Sequence, residues 1–285
     1  IAYSSRFLTR STRVVVVVVY SAAMSGRASL SALPSRRAVL CGFHEASTLP
    51  VPSTSASRSP SAARSSFSAS AMFKRLPRPS RLVEKGFVFP WEKKTPPATE
   101  FRALCDDAHL YFSFCIADED IVTLDKLRDE EDAVFEDRAE IYLSRDGQMK
   151  DYYCIEIDSL GRPFDYRGSF YRGMDPSWNL EGLEAKSSAW EKGYVVEGRV
   201  SLAGLEALGF PRLRPGVRVL CGLYRAEFSH DRSGRPVVQR ESIHTQGRTL
   251  DGPPPLESWL SWVDPRTEEP DFHVPASLGW LEIVR

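Results

Sequence analysis

Acidic residues are almost missing from the first 79 positions, where Glu45 stands against eleven Lys and Arg, for a charge of +10. The other 206 positions carry 26 basic and 37 acidic residues, for −11. The near-neutral total is a cancellation between two unlike parts. No basic stripe is visible on the acidic part, which excludes a nucleic-acid partner. Cysteine is scarce: Cys41, Cys105, Cys115, Cys154 and Cys221 form no CxxC and no Cys/His metal spacing. Cys105 and Cys115 flank a turn whose simple register pairs Cys105 with Leu110, so Cys115 is out of reach and both read as buried free thiols. The longest apolar run, Val14–Val19, is too short to span a bilayer. Missing too are GxSxG, HExxH, the P-loop and the dinucleotide fingerprint, which removes the usual signatures of hydrolases and nucleotide enzymes.

The first 79 residues are rich in Ser, Ala and Arg and lack hydrophobic periodicity. Such a segment offers little apolar surface against its chain entropy and reads as disordered. Arg6, Arg10 and Arg13 precede the valine run, and Ser21-Ala22-Ala23 follows it, as in a secretory signal. Met24 to Ala71 is hydroxylated, basic and acid-poor. The pair resembles the bipartite leader of plastid proteins in algae with complex plastids, which implies a plastid or the secretory pathway. Translation from Met72 instead implies the cytoplasm. Both starts stay open, and residues 80–285 form the domain in either case.

Strand patterns begin near Phe87. Phe101–Cys105 and Leu110–Ile116 read as a hairpin, with Phe112, Phe114 and Ile116 on one face. Ten acids crowd Asp118 to Asp137. Ala139–Ser144 and Asp151–Asp158 alternate, so Ile141, Leu143, Tyr153, Ile155 and Ile157 point inward. Gly193–Leu202, Val217–Phe228 and Trp280–Val284 are further strands, and Leu202–Leu208 is a short helix. Ser229–Pro255 is a long Gly- and Pro-containing loop. Short strands, regular turn signals and little helical periodicity predict an all-β fold, an antiparallel β-sandwich or jelly roll with long aromatic loops.

Glu136-Asp137-Arg138-Ala139-Glu140-Ile141, Gly193-Tyr194-Val195-Val196-Glu197 and Trp262-Val263-Asp264-Pro265, with Pro275, Leu278, Gly279 and Leu281 after them, stand in an order that resembles carbohydrate-binding module family 9 and its wider family 9-like group, related to the DOMON-type sandwiches. The resemblance covers about residues 85–285. It implies a non-catalytic module that holds a polysaccharide or glycan end between aromatic rings, often beside glycoside hydrolases in carbohydrate catabolism, with Ca²⁺ as the cofactor of some members. Glu140 falls where the family has a sugar-bonding Glu, and Phe272 where it has a clamp Trp. Val134 and Phe135 stand at the other clamp position, and Glu156 is the nearest match to a family Arg.

From the residues alone, Glu140, Tyr142, Tyr152 and Glu156 point away from the inferred core. They make either a solvated outer face or a polar, aromatic sugar surface. Tyr166, Tyr171, Arg172, Trp178, Phe272 and His273 could wall it, although Trp178 reads more readily as packing over the core than as stacking on a ligand. The Asp118–Asp137 acids offer oxygen ligands for Ca²⁺ without EF-hand spacing. Two other readings stay open. Glu140 and Glu156 could serve as a glycosidase carboxylate pair. A haem role, as among DOMON relatives, would take Met149, Met174 or His273 as axial ligands. Oligomeric state has no signature in the chain.

Overall fold

The computed structural model describes residues 15–20, 86–230 and 256–284. The strands are β1 (Val15–Tyr20), β2 (Thr99–Cys105), β3 (His109–Ala117), β4 (Arg138–Ser144), β5 (Tyr152–Asp158), β6 (Pro163–Ser169), β7 (Gly173–Asp175), β8 (Glu184–Trp190), β9 (Gly193–Ser201), β10 (Arg218–Ser229), β11 (Leu256–Ser261) and β12 (Gly279–Val284). Every pairing is antiparallel, in the order β7-β6-β5-β4-β10-β12-β1-β2-β3-β9-β8, with β11 beside the second half of β10. The Cys105–Leu110 register expected of the hairpin is present, and the four described cysteines are buried free thiols.

Alternation builds the sandwich. Ala139, Ile141 and Leu143 of β4 join Ile155 and Ile157 of β5 against Phe112, Phe114, Ile116 and Val196 from β3 and β9 in one apolar cluster. Each large apolar side chain buried there contributes roughly 1.5–3 kcal/mol. Helix α1 (Leu202–Ala207) packs Leu202 and Leu205 on the rim of this core, with Ser201 as its cap accepting from Gly204 N. The structure is therefore an antiparallel β-sandwich, as the patterning predicts.

A third layer was not expected. The opposite face of β4, β5, β6 and β10 carries Tyr142, Tyr152, Cys154, Tyr166 and Tyr224, and these form a second buried cluster. Val134 and Phe135 of a 3₁₀ turn (Glu130–Phe135) cover one end of it, and Phe272 and Leu278 cover the other.

The valine run expected in the middle of a leader forms β1, between β12 and β2. Its β-branched residues favour that conformation. The rest of the expected leader, and residues 231–255 of the expected long loop with His244, lie outside the described residues. No helix among the described residues is long and apolar enough to cross a membrane.

Candidate functional site

The second face of the sheet holds the chemistry. Glu140 on β4 lies directly opposite Glu156 on β5, and Tyr142 lies opposite Cys154, whose other neighbour is Tyr166 on β6. Arg138, two residues before Glu140 on the same face, binds both carboxylates. Its Nε donates to Glu156 Oε2 at 2.6 Å, and its Nη2 is 2.9 Å from Glu140 Oε1. Nη1 donates to the Val134 carbonyl at 3.1 Å, so the 3₁₀ turn is tied to the same cation. Tyr166 Oη donates to Glu156 Oε1 at 2.9 Å and lies 3.2 Å from Tyr142 Oη.

This network is out of solvent: Glu140 is 1% exposed and Glu156 3%. Burial first, and the neighbouring Glu156 second, raise the Glu140 carboxyl to about 8, against the lowering pull of Arg138. The arrangement can donate and accept hydrogen bonds in a confined, low-dielectric space. As built, both carboxylates are engaged by Arg138 and shielded from water, so neither is placed as the solvent-facing base of a glycosidase pair.

Phe272 and His273 close the top. Phe272 is 2% exposed and stacks on Tyr224, with centroids 4.1 Å apart and planes at 14°. Trp259 meets the same ring edge-on at 5.7 Å, and Trp91 tilts over it at 5.3 Å. His273 Nδ1 is 2.9 Å from Tyr152 Oη, and its Nε2 is 3.4 Å from Tyr142 Oη. Burial, then Arg172 and Arg138, lower the imidazole to about 3 and hold it neutral. Gly168, opposite Tyr152 on β6, leaves the space this tyrosine fills: a Cβ there would lie 2.2 Å from its ring.

Above the closure stands the turn between β6 and β7. Phe170 and Tyr171 are 52% and 56% exposed. Tyr171 Oη donates to Asp271 Oδ2 at 2.6 Å, and Arg172 Nη2 donates to Asp271 Oδ1 at 2.9 Å. These bonds fasten the hairpin to the Phe272 loop.

Nine of the ten expected site residues therefore gather here: Glu140, Tyr142, Tyr152, Glu156, Tyr166, Tyr171, Arg172, Phe272 and His273. Trp178 does not, because it packs on Tyr153 at 5.1 Å, at the sandwich-core side of the sheet. Arg138, which follows Glu136 and Asp137, is not among the ten expected residues. The period-two series Arg138, Glu140, Tyr142 was the signal that could have found it. Tyr224 and Trp91 come from distant segments and have no local signal, whereas Asp271 stands next to Phe272 and His273.

A family model described as carbohydrate family 9 binding domain-like matches residues 87–284. The chain belongs to this family. Among solved structures, this family 9-like chain is similar to a Bacteroides uniformis protein assigned provisionally as carbohydrate-binding: 14% identity, 76% of this chain and 93% of that one covered, TM-score 0.48. It is also similar to a family 9 carbohydrate-binding module from Caldicellulosiruptor kristjanssonii. That module was solved with glucose (14% identity, 70% and 81% covered, TM-score 0.38) and with cellotriose (14%, 70% and 80%, 0.38). No curated protein matches the chain.

Ca²⁺, which the family resemblance implies, has one set of carboxylates to test among the described residues. Ligand oxygens of Asp118, Asp137 and Glu227 lie within 4.8 Å of one another. Arg225, fully buried, already supplies a cation there, paired with Asp118 at 3.3 Å and with Glu227. Both Asp137 oxygens accept backbone N–H groups, from Phe228 at 2.6 Å and Val122 at 2.5 Å. Arg225 thus balances part of the charge of the set, while Asp118 Oδ2 and Glu227 Oε2 accept no hydrogen bond beyond that ion pairing. Of the three residues named for haem, Met149 and His273 are buried and Met174 is partly buried against the same cluster.

Proposed function

We propose that this domain binds a carbohydrate without turning it over, as the recognition part of a glycan-processing system. The observation that carries the reading is the exposed Phe170–Tyr171 pair. Two large rings stand in solvent on one hairpin tip, directly above a polar network, in a chain of a carbohydrate-binding family. Aromatic faces stack on the C–H face of a pyranose, and a guanidinium or carboxylate beside them bonds its hydroxyls. Phe170, Tyr171 and Arg172 form the rim in this reading. Glu140, Glu156 and their tyrosines form the floor.

The test is a glycan array followed by affinity gels with the full chain, and glucose and cellotriose among the probes. Binding should drop at least tenfold in Phe170→Ala, whose ring carries no fastening hydrogen bond, and in Glu140→Gln. No binding to any sugar by folded protein would overturn the reading. Release of sugar from a bound glycan, abolished in Glu140→Gln, would overturn its non-catalytic part.

A further inference from the structure

The floor of the site has no room for the ligand it is suited to. Arg138, Glu140, Tyr142, Glu156, Tyr166 and Phe272 surround a void of about 10 Å³, at the lower limit for one water. We infer that residues 265–274 are a displaceable plug, and that a neutral sugar ring reaches the Arg138–Glu140–Glu156 floor only when Phe272 and His273 lift away. This deepens the carbohydrate reading and rests on it.

Three observations carry the plug. The first is the chemistry beneath it. Three ionisable side chains are enclosed under a phenyl ring, and Glu140 Oε1 has the Arg138 contact but no well-aligned hydrogen bond. Burying such groups without full hydrogen bonding is costly, and a ligand with several hydroxyls would relieve the cost.

The second is how the plug is held. Phe272 and His273 sit in aromatic contacts. The loop's polar ties to neighbouring elements are made by side chains and not by a strand ladder: Asp271 to Tyr171 and Arg172, His273 to Tyr152 at 2.9 Å and to Tyr142 at 3.4 Å, Trp91 Nε1 to the Thr267 carbonyl at 3.0 Å, and Ser277 Oγ to the Phe272 carbonyl at 2.7 Å. A segment fastened at a few points opens at lower cost than a strand in a ladder.

The third is its ends. Pro265 and Pro275 bracket the segment, Pro270 lies inside it, Arg266 takes a left-handed φ of 56°, and a 3₁₀ turn begins at Pro275. Prolines fix φ at both ends and in the middle, so the segment has few soft torsions of its own and would move largely as one piece. A protein whose binding-competent state is a minor fraction shows its intrinsic dissociation constant divided by that fraction. Loosening the fastenings should therefore tighten binding.

The experiment uses the full chain with Asp271→Ala and Trp91→Phe, which cut the plug's ties at different ends. Hydrogen exchange followed by mass spectrometry reads the segment 266–278, and calorimetry with glucose and cellotriose reads affinity. Exchange in the segment should rise at least tenfold while β4 and β5 stay protected, and Kd should fall by threefold or more. Faster exchange with unchanged or weaker binding overturns the plug and leaves the carbohydrate reading standing. Exchange unchanged in both variants also overturns it. Faster exchange with no sugar bound by any of the three proteins overturns the carbohydrate reading, and with it the ligand assigned to the plug.

Discussion

Arg138 donates Nε to Glu156 at 2.6 Å across the β4–β5 pair, inside a buried face. The same guanidinium holds Glu140 and the Val134 carbonyl, so one cation joins two strands and the covering turn. Removing one partner of a buried ion pair leaves the other charged and unpaired, which typically costs about 3–5 kcal/mol. Arg138→Met should destabilise the domain by that amount in urea unfolding followed by tryptophan fluorescence. Adding Glu140→Gln and Glu156→Gln to the same chain should restore most of the loss. A single-variant cost below about 1 kcal/mol would show that the carboxylates find another partner.

The buried acids set a pH dependence with a definite sign. Burial raises Glu140 to about 8, and Glu136 and Glu227 to about 7, from an ordinary value of 4.5. Each contributes stability that is fully present below 4.5 and lost as pH rises through its folded value, because the folded state holds the proton more tightly. His273 works the other way, held neutral down to about 3, so its contribution is lost only as pH falls below 6.5. Between pH 6.5 and 8 the raised carboxyls act without it, and burial raises Asp137 in the same direction. Tm should fall steadily across that window, and Glu140→Gln should flatten the fall. A Tm that rises from 6.5 to 8 contradicts the assignment.

Local alternation made the sandwich legible. Ile141, Leu143, Ile155 and Ile157 were placed inward by period two alone, and the structure has them in the core. The same rule put Glu140, Tyr142 and Glu156 together on the other face. It could not say whether that face was wet, because part of its cover, Phe272, arrives more than a hundred residues later. Strand β8, Glu-Ala-Lys-Ser-Ser-Ala-Trp, was missed for a different reason. It is a partly exposed edge beside β9 only, so no apolar alternation marks it.

Gly168 is the small residue on which the tyrosine network depends. Its side-chain position lies in the Tyr152 ring, at 2.2 Å, and Tyr152 cannot retreat without losing His273. Overpacking of this kind typically costs 1–3 kcal/mol. Gly168→Ala should lower stability by about that much. The double variant with Tyr152→Leu should lose less than the sum of the two singles, as measured by a double-mutant cycle in urea.

Phe170 and Phe272 are the same side chain in opposite environments, and they separate binding from folding. Phe272 is buried between Tyr224, Trp259 and Trp91, so truncation leaves a cavity lined by three rings. Phe→Ala at such a site costs about 3–5 kcal/mol. Phe170 is more than half exposed on a hairpin tip, and its ring contact is with Tyr171 beside it. Its truncation should change stability by about 0.5 kcal/mol or less, as for other surface sites. Thermal unfolding and sugar affinity measured on both variants should therefore divide cleanly. Phe272→Ala should melt well below the parent, and Phe170→Ala should melt with it while binding at least tenfold more weakly. A Phe170→Ala protein that keeps full affinity moves the sugar off the hairpin tip. A Phe272→Ala protein that melts with the parent means the ring is not packed as the contacts describe.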